Sequence, residues 1–325
     1  MSTAFTASVT GPAIPRWWDE LAYHFMHLDT VVSLALIVAS GVILAWLILA
    51  VSRTLCGRSD NIVTLPPVRA QGLRAFVSDT LVLTRRNLLL SRRTPQLVVA
   101  AAIMPVMFVL LFRYVFGGSI HVAGYASYVD YLIPGIIVQT ALFGGSSSAV
   151  SVAEDLTKGV TDRLRSLPTH RGAILTARTL ADLVRLTYTV ALMILIGLLV
   201  GFRFHNDLPS ILAGIGIALF FGYACSWLFA LLGLVVRNVE AATLAAFVVT
   251  FPLVFAASTF TSTDTMPDWL RTFADAQPVT SVIDALRALT EGTGSAEQPM
   301  LHALAWSAGI LVVAATLALR RFREV

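Results

Sequence analysis

Charge is what this sequence has least of. Only 13% of its 325 residues are Asp, Glu, Lys or Arg, while 57% are hydrophobic. Average soluble domains carry about 25% charged and about 45–50% apolar residues. So few charges cannot cover a chain of this length in water, which excludes a soluble enzyme, a disordered chain and a nucleic-acid-binding domain. Lysine is almost missing, with Lys158 the only one. A phosphate-binding loop needs Gly-Lys followed by Ser or Thr, because the lysine reaches the phosphates. Lys158 instead precedes Gly159, so nucleotide hydrolysis by this chain is excluded. Cysteine is equally scarce: Cys56 and Cys225 lie far apart and offer neither a disulfide framework nor metal-ligand spacing. HExxH is absent, and His24, His27, His121, His170, His205 and His302 are scattered. No metal site, catalytic residue or bound cofactor is expected.

What the chain has is apolar length. A helical crossing takes ~20 mostly apolar residues, and seven stretches qualify: 31–51, 97–116, 132–153, 183–202, 211–236, 241–260 and 301–319. None alternates as the strands of a membrane barrel do. Pro105, Pro134 and Pro252 fall in or beside spans, where neighbouring helices can satisfy the freed backbone groups. The expected fold class is all-α, a polytopic transmembrane helix bundle.

Arginine gives the direction. Basic residues concentrate before the second span (Arg53 to Arg93), after the third (Lys158 to Arg185), at Arg237 and in the tail at Arg320, Arg321 and Arg323. If spans alternate, all of these share one side, and the other receives Arg16, Arg113, Arg203, Arg271 and Arg287. The rich side is cytoplasmic by the positive-inside rule. This also explains the net charge of +4 without a nucleic-acid partner. The C-terminus is then expected in the cytoplasm and the N-terminus outside. The 31–51 stretch follows a segment holding Arg16, Asp19, Glu20 and Asp29 and precedes Arg53 and Arg58. That order suits an uncleaved anchor rather than a signal peptide.

Two domains are expected. Residues 1–71 form an extension with one extra span and a linker at Pro66-Pro67; residues 72–325 form a six-helix core. Within 72–93, Leu73, Phe76, Val77, Leu81 and Leu88 recur at helical spacing among Arg74, Asp79, Arg85, Arg86 and Arg92. Such a helix suits the headgroup layer, or extends the next helix into the cytosol. In the loop after the third span, Gly159 and Pro168 bracket a short helical piece whose Leu164 and Leu167 sit beside charges. They call for something apolar to dock against, unless this is an ordinary charged loop.

The connection 261–298 holds Trp269, Leu270 and Phe273, then Val282, Ile283, Leu286 and Leu289, split by Pro278. Two short helices are predicted, dipping into the outer leaflet or lying flat on it. Inside the spans, Arg113 can snorkel, and Asp182 has Arg178 four residues before it and Arg185 three after. Gln139 either lines a pathway or bonds a neighbouring helix. The run Gly144 to Ser148 permits close helix approach. No proton relay or ion-site cluster emerges, which argues against a secondary transporter.

Two motifs resemble a known family. EDLTKGVTDRLRSLPTHRGAILTARTLADLVR is similar to the acid–Gly–Arg–Leu–Pro pattern between the second and third core helices of type-2 ABC-transporter permeases, daunorubicin-resistance branch. FAASTFTSTDTMPDWLRTFADAQPVTSVIDALRAL resembles that family's small-residue helix end followed by Pro-x-Trp-Leu, Asn-Pro and Asp-Ala-Leu-Arg. Pro267, Trp269, Leu270, Pro278, Asp284, Ala285, Leu286 and Arg287 match, with Gln277 where Asn is commoner.

The resemblance covers 72–325 and implies an exporter permease: two such subunits, identical or different, and two separate ATPase subunits that hold ATP and Mg. Residues 154–171 would form the coupling segment, with Glu154, Asp155, Gly159, Arg163, Leu164, Leu167 and Pro168 as its key positions. Residues 264–290 would form an outer re-entrant hairpin. In it Pro267, Trp269, Leu270, Phe273, Pro278, Asp284 and Arg287 make a gate, and Gln139 is the pathway candidate. The implied cargo is hydrophobic or amphipathic, drug- or lipid-like, and leaves through the cell membrane. The alternatives are a polysaccharide–lipid export permease and a non-transporting membrane assembly subunit.

Overall fold

A computed structural model describes residues 72–93, 95–117, 122, 125, 127–166, 169–292 and 296–324. All lie in the second of the two units into which the chain divides, Trp46–Val325. The predicted 31–51 span, the Pro66-Pro67 linker, His24, His27, Cys56, Leu167 and Pro168 lie outside the described residues.

Among the described residues the secondary structure is helical throughout. The α-helices are α1 (Leu73–Arg93), α2 (Pro95–Leu111), α3 (Tyr128–Thr157), α4 (Val160–Arg165), α5 (Arg171–Val200), α6 (Leu208–Val236), α7 (Val239–Phe255), α8 (Asp268–Ala276), α9 (Pro278–Glu291) and α10 (Glu297–Glu324). A π-helical turn, Phe112–Phe116, continues α2, and a 3-10 turn, Thr263–Thr265, precedes α8.

By length and composition α3, α5, α6 and α10 can each cross a membrane, while Ile103–Val115 and Val239–Phe255 are shorter apolar helices. Five predicted spans fall almost wholly within α2 with its π turn, α3, α5, α6 and α10. The sixth, 241–260, is helical only to Phe255. The chain is a polytopic helical membrane protein, as an apolar environment demands of a backbone that must satisfy its own hydrogen bonds.

The centre of the bundle is α3 against α6, with α10, α5, α7 and α9 packed around them. Gly145 makes that central approach possible. A Cβ there would stand 2.9 Å from the Cβ of Cys225 and 3.1 Å from its carbonyl carbon. Small residues let backbones close in where helices gain no hydrophobic drive from lipid. Behind it, Ser148 donates to Asp182 Oδ2 at 2.5 Å, and Arg185 pairs with Asp182 at 3.0 Å. The predicted second partner of Asp182, Arg178, instead turns to Asp155 on α3, 2.6 Å away. A cross-helix carboxylate outcompetes one already shared by Ser148 and Arg185.

Connectivity gives the bundle two ends. The end of α3, α4, the start of α5 and the tail of α10 form a basic end. The start of α3, the α5–α6 loop, α8 and α9 form the far end.

Candidate functional site

At the basic end, α3 stops at Thr157 and the chain turns through Lys158 and Gly159. Gly159 has φ +64°, a left-handed conformation that costs glycine nothing and other residues ~1–2 kcal/mol. The turn starts α4 two residues after α3 ends. Glu154 pairs with Lys158 on the exposed surface, and Asp155 ties α3 to α5 through Arg178.

On α4, Asp162 and Arg163 are exposed. Leu164 is half-buried and packs against Leu83, Ala173 and Ala177, beside Phe76 and Ile174. It therefore anchors α4 onto α1 and α5. The same junction is held by the His170 N–H donating to Asp79 Oδ2 at 3.1 Å and by Thr84 donating to the Ala177 carbonyl at 3.3 Å. Phe76 meets the His170 ring edge-on. The amphipathic helix α1 is thus fastened along one face to the segment after α4.

At the far end the predicted pair of helices is present, but its halves differ. Gln277 is extended, as a residue before proline must be, and Pro278 opens α9 at a position where its missing N–H costs nothing. On α8, Trp269 is 75% exposed and Phe273 46% exposed, with Leu270 half-buried beside them. Arg271 pairs with Asp264 at 2.7 Å and Asp275 at 3.6 Å. On α9, by contrast, Val279, Val282, Ile283, Ala285 and Leu286 are fully buried among α3, α6 and α10.

Arg287 holds α9 in place. Its Nε and Nη2 donate to the Tyr131 carbonyl at 3.1 and 3.0 Å, and Nη2 also donates to the Ser258 carbonyl at 2.7 Å. Nη1 donates to Ser258 Oγ at 3.1 Å and lies 3.6 Å from Asp284. The guanidinium stacks 3.5 Å from the centroid of the Tyr131 ring. One buried side chain therefore joins α9, α3 and the Ser258 carbonyl beyond the C-terminus of α7, where a cation suits the helix dipole.

The joint has further supports. Gln277 Nε2 donates to the Ala256 carbonyl at 2.9 Å, so Gln serves where the family's motif more often has Asn. The Tyr131 and Tyr128 hydroxyls donate to the carbonyls of Ser258 (2.8 Å) and Phe260 (2.9 Å). A Cβ on Gly135 would lie 2.5 Å from the Thr259 carbonyl oxygen, so glycine alone admits that strand of backbone. Gln139 is buried within α3, and its Oε1 has no hydrogen-bond partner.

Sequence reasoning missed a second far-end cluster, Asp130, Arg203, His205 and Glu291. Its only sequence signal is an acid closing a helix just before Gly292, whose φ of +69° caps it. Among the described residues no group of three or more His, Cys, Asp or Glu is placed to hold a metal.

Residues 78–290 match the family model described as ABC-2 type transporter. The "Daunorubicin resistance ABC transporter permease protein DrrB1" of Streptomyces coeruleorubidus is 32% identical over 248 residues, 76% of this chain and 87% of that protein. The "Probable doxorubicin resistance ABC transporter permease protein DrrC" of Mycobacterium tuberculosis is 31% identical over 268 residues, 78% of this chain and 92% of that protein. The "Putative transport permease ycf38" of Cyanophora paradoxa is 27% identical over 224 residues. The family implies an ABC ATPase partner and a pairing of permeases. With the spans, the α3–α4–α5 turn and the hairpin in place, this chain belongs to the ABC-2 type transporter family, as a membrane permease subunit of an ABC transporter.

Proposed function

We propose that this chain is the permease of a drug exporter whose ATP hydrolysis takes place on a separate ATPase chain, which also holds the ATP and Mg. The observation that carries the reading is α4: a short helix with Asp162 and Arg163 outward and Leu164 anchored on α1 and α5. A push from an ATPase on that exposed face is delivered at once to two longer helices. Glu154, Asp155 and Gly159 fix the angle at which α4 stands, and residues 167–168 complete the segment.

In this reading the basic end and the C-terminus face the cytoplasm and the N-terminus lies outside. Cysteine placed at Ser2 should react with an impermeant reagent in intact cells, and one appended after Val325 should not. Equal labelling of both overturns the orientation.

The hairpin is then the external gate. α9 is its fixed post, held by Arg287, while α8 presents Trp269 and Phe273 to the outer leaflet, where an amphipathic indole favours the interface. The exposed apolar faces of α2 and α7, among them Met107, Phe251 and Phe255, meet lipid or the second permease. Two relatives bear doxorubicin in their names, which makes that amphipathic compound the first cargo to try.

Cells making the chain with its ATPase should retain less doxorubicin than cells making either alone, and the two chains should co-purify. Trp269→Ala should cut efflux about tenfold, the equivalent of ~1.4 kcal/mol, with co-purification unchanged because the side chain is mostly exposed. Equal retention in all cells overturns the exporter, and full efflux by Trp269→Ala overturns the gate.

A further inference from the structure

The far-end cluster is not used by the gate or by the coupling segment, yet it is built with care. Glu291 ends α9 with its side chain only 4% exposed, and its Oε2 lies 2.8 Å from His205 Nδ1 in the α5–α6 loop. Its second oxygen, Oε1, is buried without a hydrogen-bond partner. The same loop is stitched to α9 by the His205 N–H donating to the Thr290 carbonyl at 3.0 Å. From α3, the buried Asp130 accepts from the Arg203 N–H at 3.3 Å. Asp130 adds negative charge near Glu291, and Arg287 offsets part of it.

Of the other charged groups on the surrounding elements, Arg113 on the π turn acts on Asp130. Asp207 at the start of α6, Asp275 on α8 and Glu297 at the start of α10 are exposed. Arg203 turns to the carbonyls of Leu198 and Phe202.

A carboxylate in this position is expensive when charged. It is out of water, half of its acceptor capacity is unmet, and another acid stands near. A proton shared with His205 neutralises the carboxyl, which relieves the cost of burying its charge and of standing near another acid. We propose that Glu291 and His205, backed by Asp130, form a proton-binding latch that ties the α5–α6 loop to the end of α9. With the proton bound, the neutral pair seals the loop against the hairpin. When the proton leaves, the carboxylate must gain water, and the loop parts from α9 to admit it.

Burial raises the Glu291 carboxyl from its ordinary 4.5 to about 7, so this change falls between pH 6 and 8. The sign follows from linkage. A carboxyl with a raised folded pKa binds more protons folded than unfolded, so the latched state is favoured below that pKa and weakens as pH rises through it.

The latch would act on the hairpin read above as the gate, but it can be tested apart from that reading. The purified full-length chain in detergent, with Cys56→Ser, is spin-labelled through Asn206→Cys and Ala276→Cys, and the distance between labels is measured from pH 6 to pH 8. Micelles expose both ends, so membrane orientation does not enter. The expected result is one narrow distance at pH 6, giving way to a longer, broader distribution with a midpoint near pH 7.

Glu291→Gln, neutral and of the same size, should keep the narrow distance throughout. His205→Asn, at a half-exposed position that folding tolerates, should move the midpoint by about one pH unit if Glu291→Gln does not yield folded protein. A distance independent of pH in the parent chain, or a midpoint unmoved by either substitution, overturns the latch. Neither result bears on Trp269 or on doxorubicin efflux.

Discussion

Arg287→Ala should abolish export and leave the permease poorly assembled. The guanidinium is 4% exposed and makes four hydrogen bonds, to the Tyr131 carbonyl, the Ser258 carbonyl and Ser258 Oγ, beside its ion pair with Asp284. Removing it leaves two carbonyls and the Asp284 carboxylate short of their cation. Breaking such a buried arrangement from one side typically costs about 3–5 kcal/mol, a large share of the ~5–15 kcal/mol that holds a domain folded. Arg287→Lys should recover little, because a point-charged ammonium cannot fork between carbonyls on α3 and after α7 or stack on the Tyr131 ring. Thermal unfolding in detergent and doxorubicin efflux measure the two effects. Efflux at the parental level in Arg287→Ala would show that α9 is held by its apolar face alone.

Leu164→Asp should disconnect the two halves of the machine. The half-buried side chain sits against Leu83, Ala173 and Ala177, so its loss costs less than the about 2–5 kcal/mol of a fully buried leucine, while a carboxylate set against that apolar face adds a desolvation cost or takes up a proton. The helix α4 then comes away from α1 and α5. The expected phenotype is an ATPase that still hydrolyses ATP in the complex while efflux falls to background. Leu164→Met conserves volume and should cost less than ~1.5 kcal/mol, leaving efflux near normal. Parental efflux by Leu164→Asp would show that force does not pass through this anchor.

Much of this was legible in the chain. A span must be long and apolar whatever packs against it, so the stretches from 97 to 319 could be read before any neighbour was known. Pro278 had to divide the hairpin, because a residue before proline is barred from helix. Gly159 had to turn the chain between α3 and α4, because a left-handed residue is most cheaply glycine. The Gly144 to Ser148 run had to mark a close contact, since such residues have little side chain to keep another helix away. Two family motifs in order pointed to the family.

Other features depend on what each side chain finds across the bundle. Trp269, Leu270 and Phe273 read the same way as Val282, Ile283 and Leu286, yet α8 keeps Trp269 and Phe273 exposed while α9 is enclosed by α3, α6 and α10. Arg287 reads as a residue that faces water or pairs with a nearby acid, and is instead buried against carbonyls of Tyr131 and Ser258, 156 and 29 residues away in sequence. Leu164, beside charges, reads as a free docking group and is half-covered by its own chain. Arg178 passes over Asp182, four residues along its helix, for Asp155 on another. Periodicity and proline report what a segment does to its own backbone, so sequence alone determined the helices, their breaks and the membrane class. Burial, pairing and the contact between Glu291 and His205 depend on groups that only the folded bundle brings together, and those the tertiary structure decided.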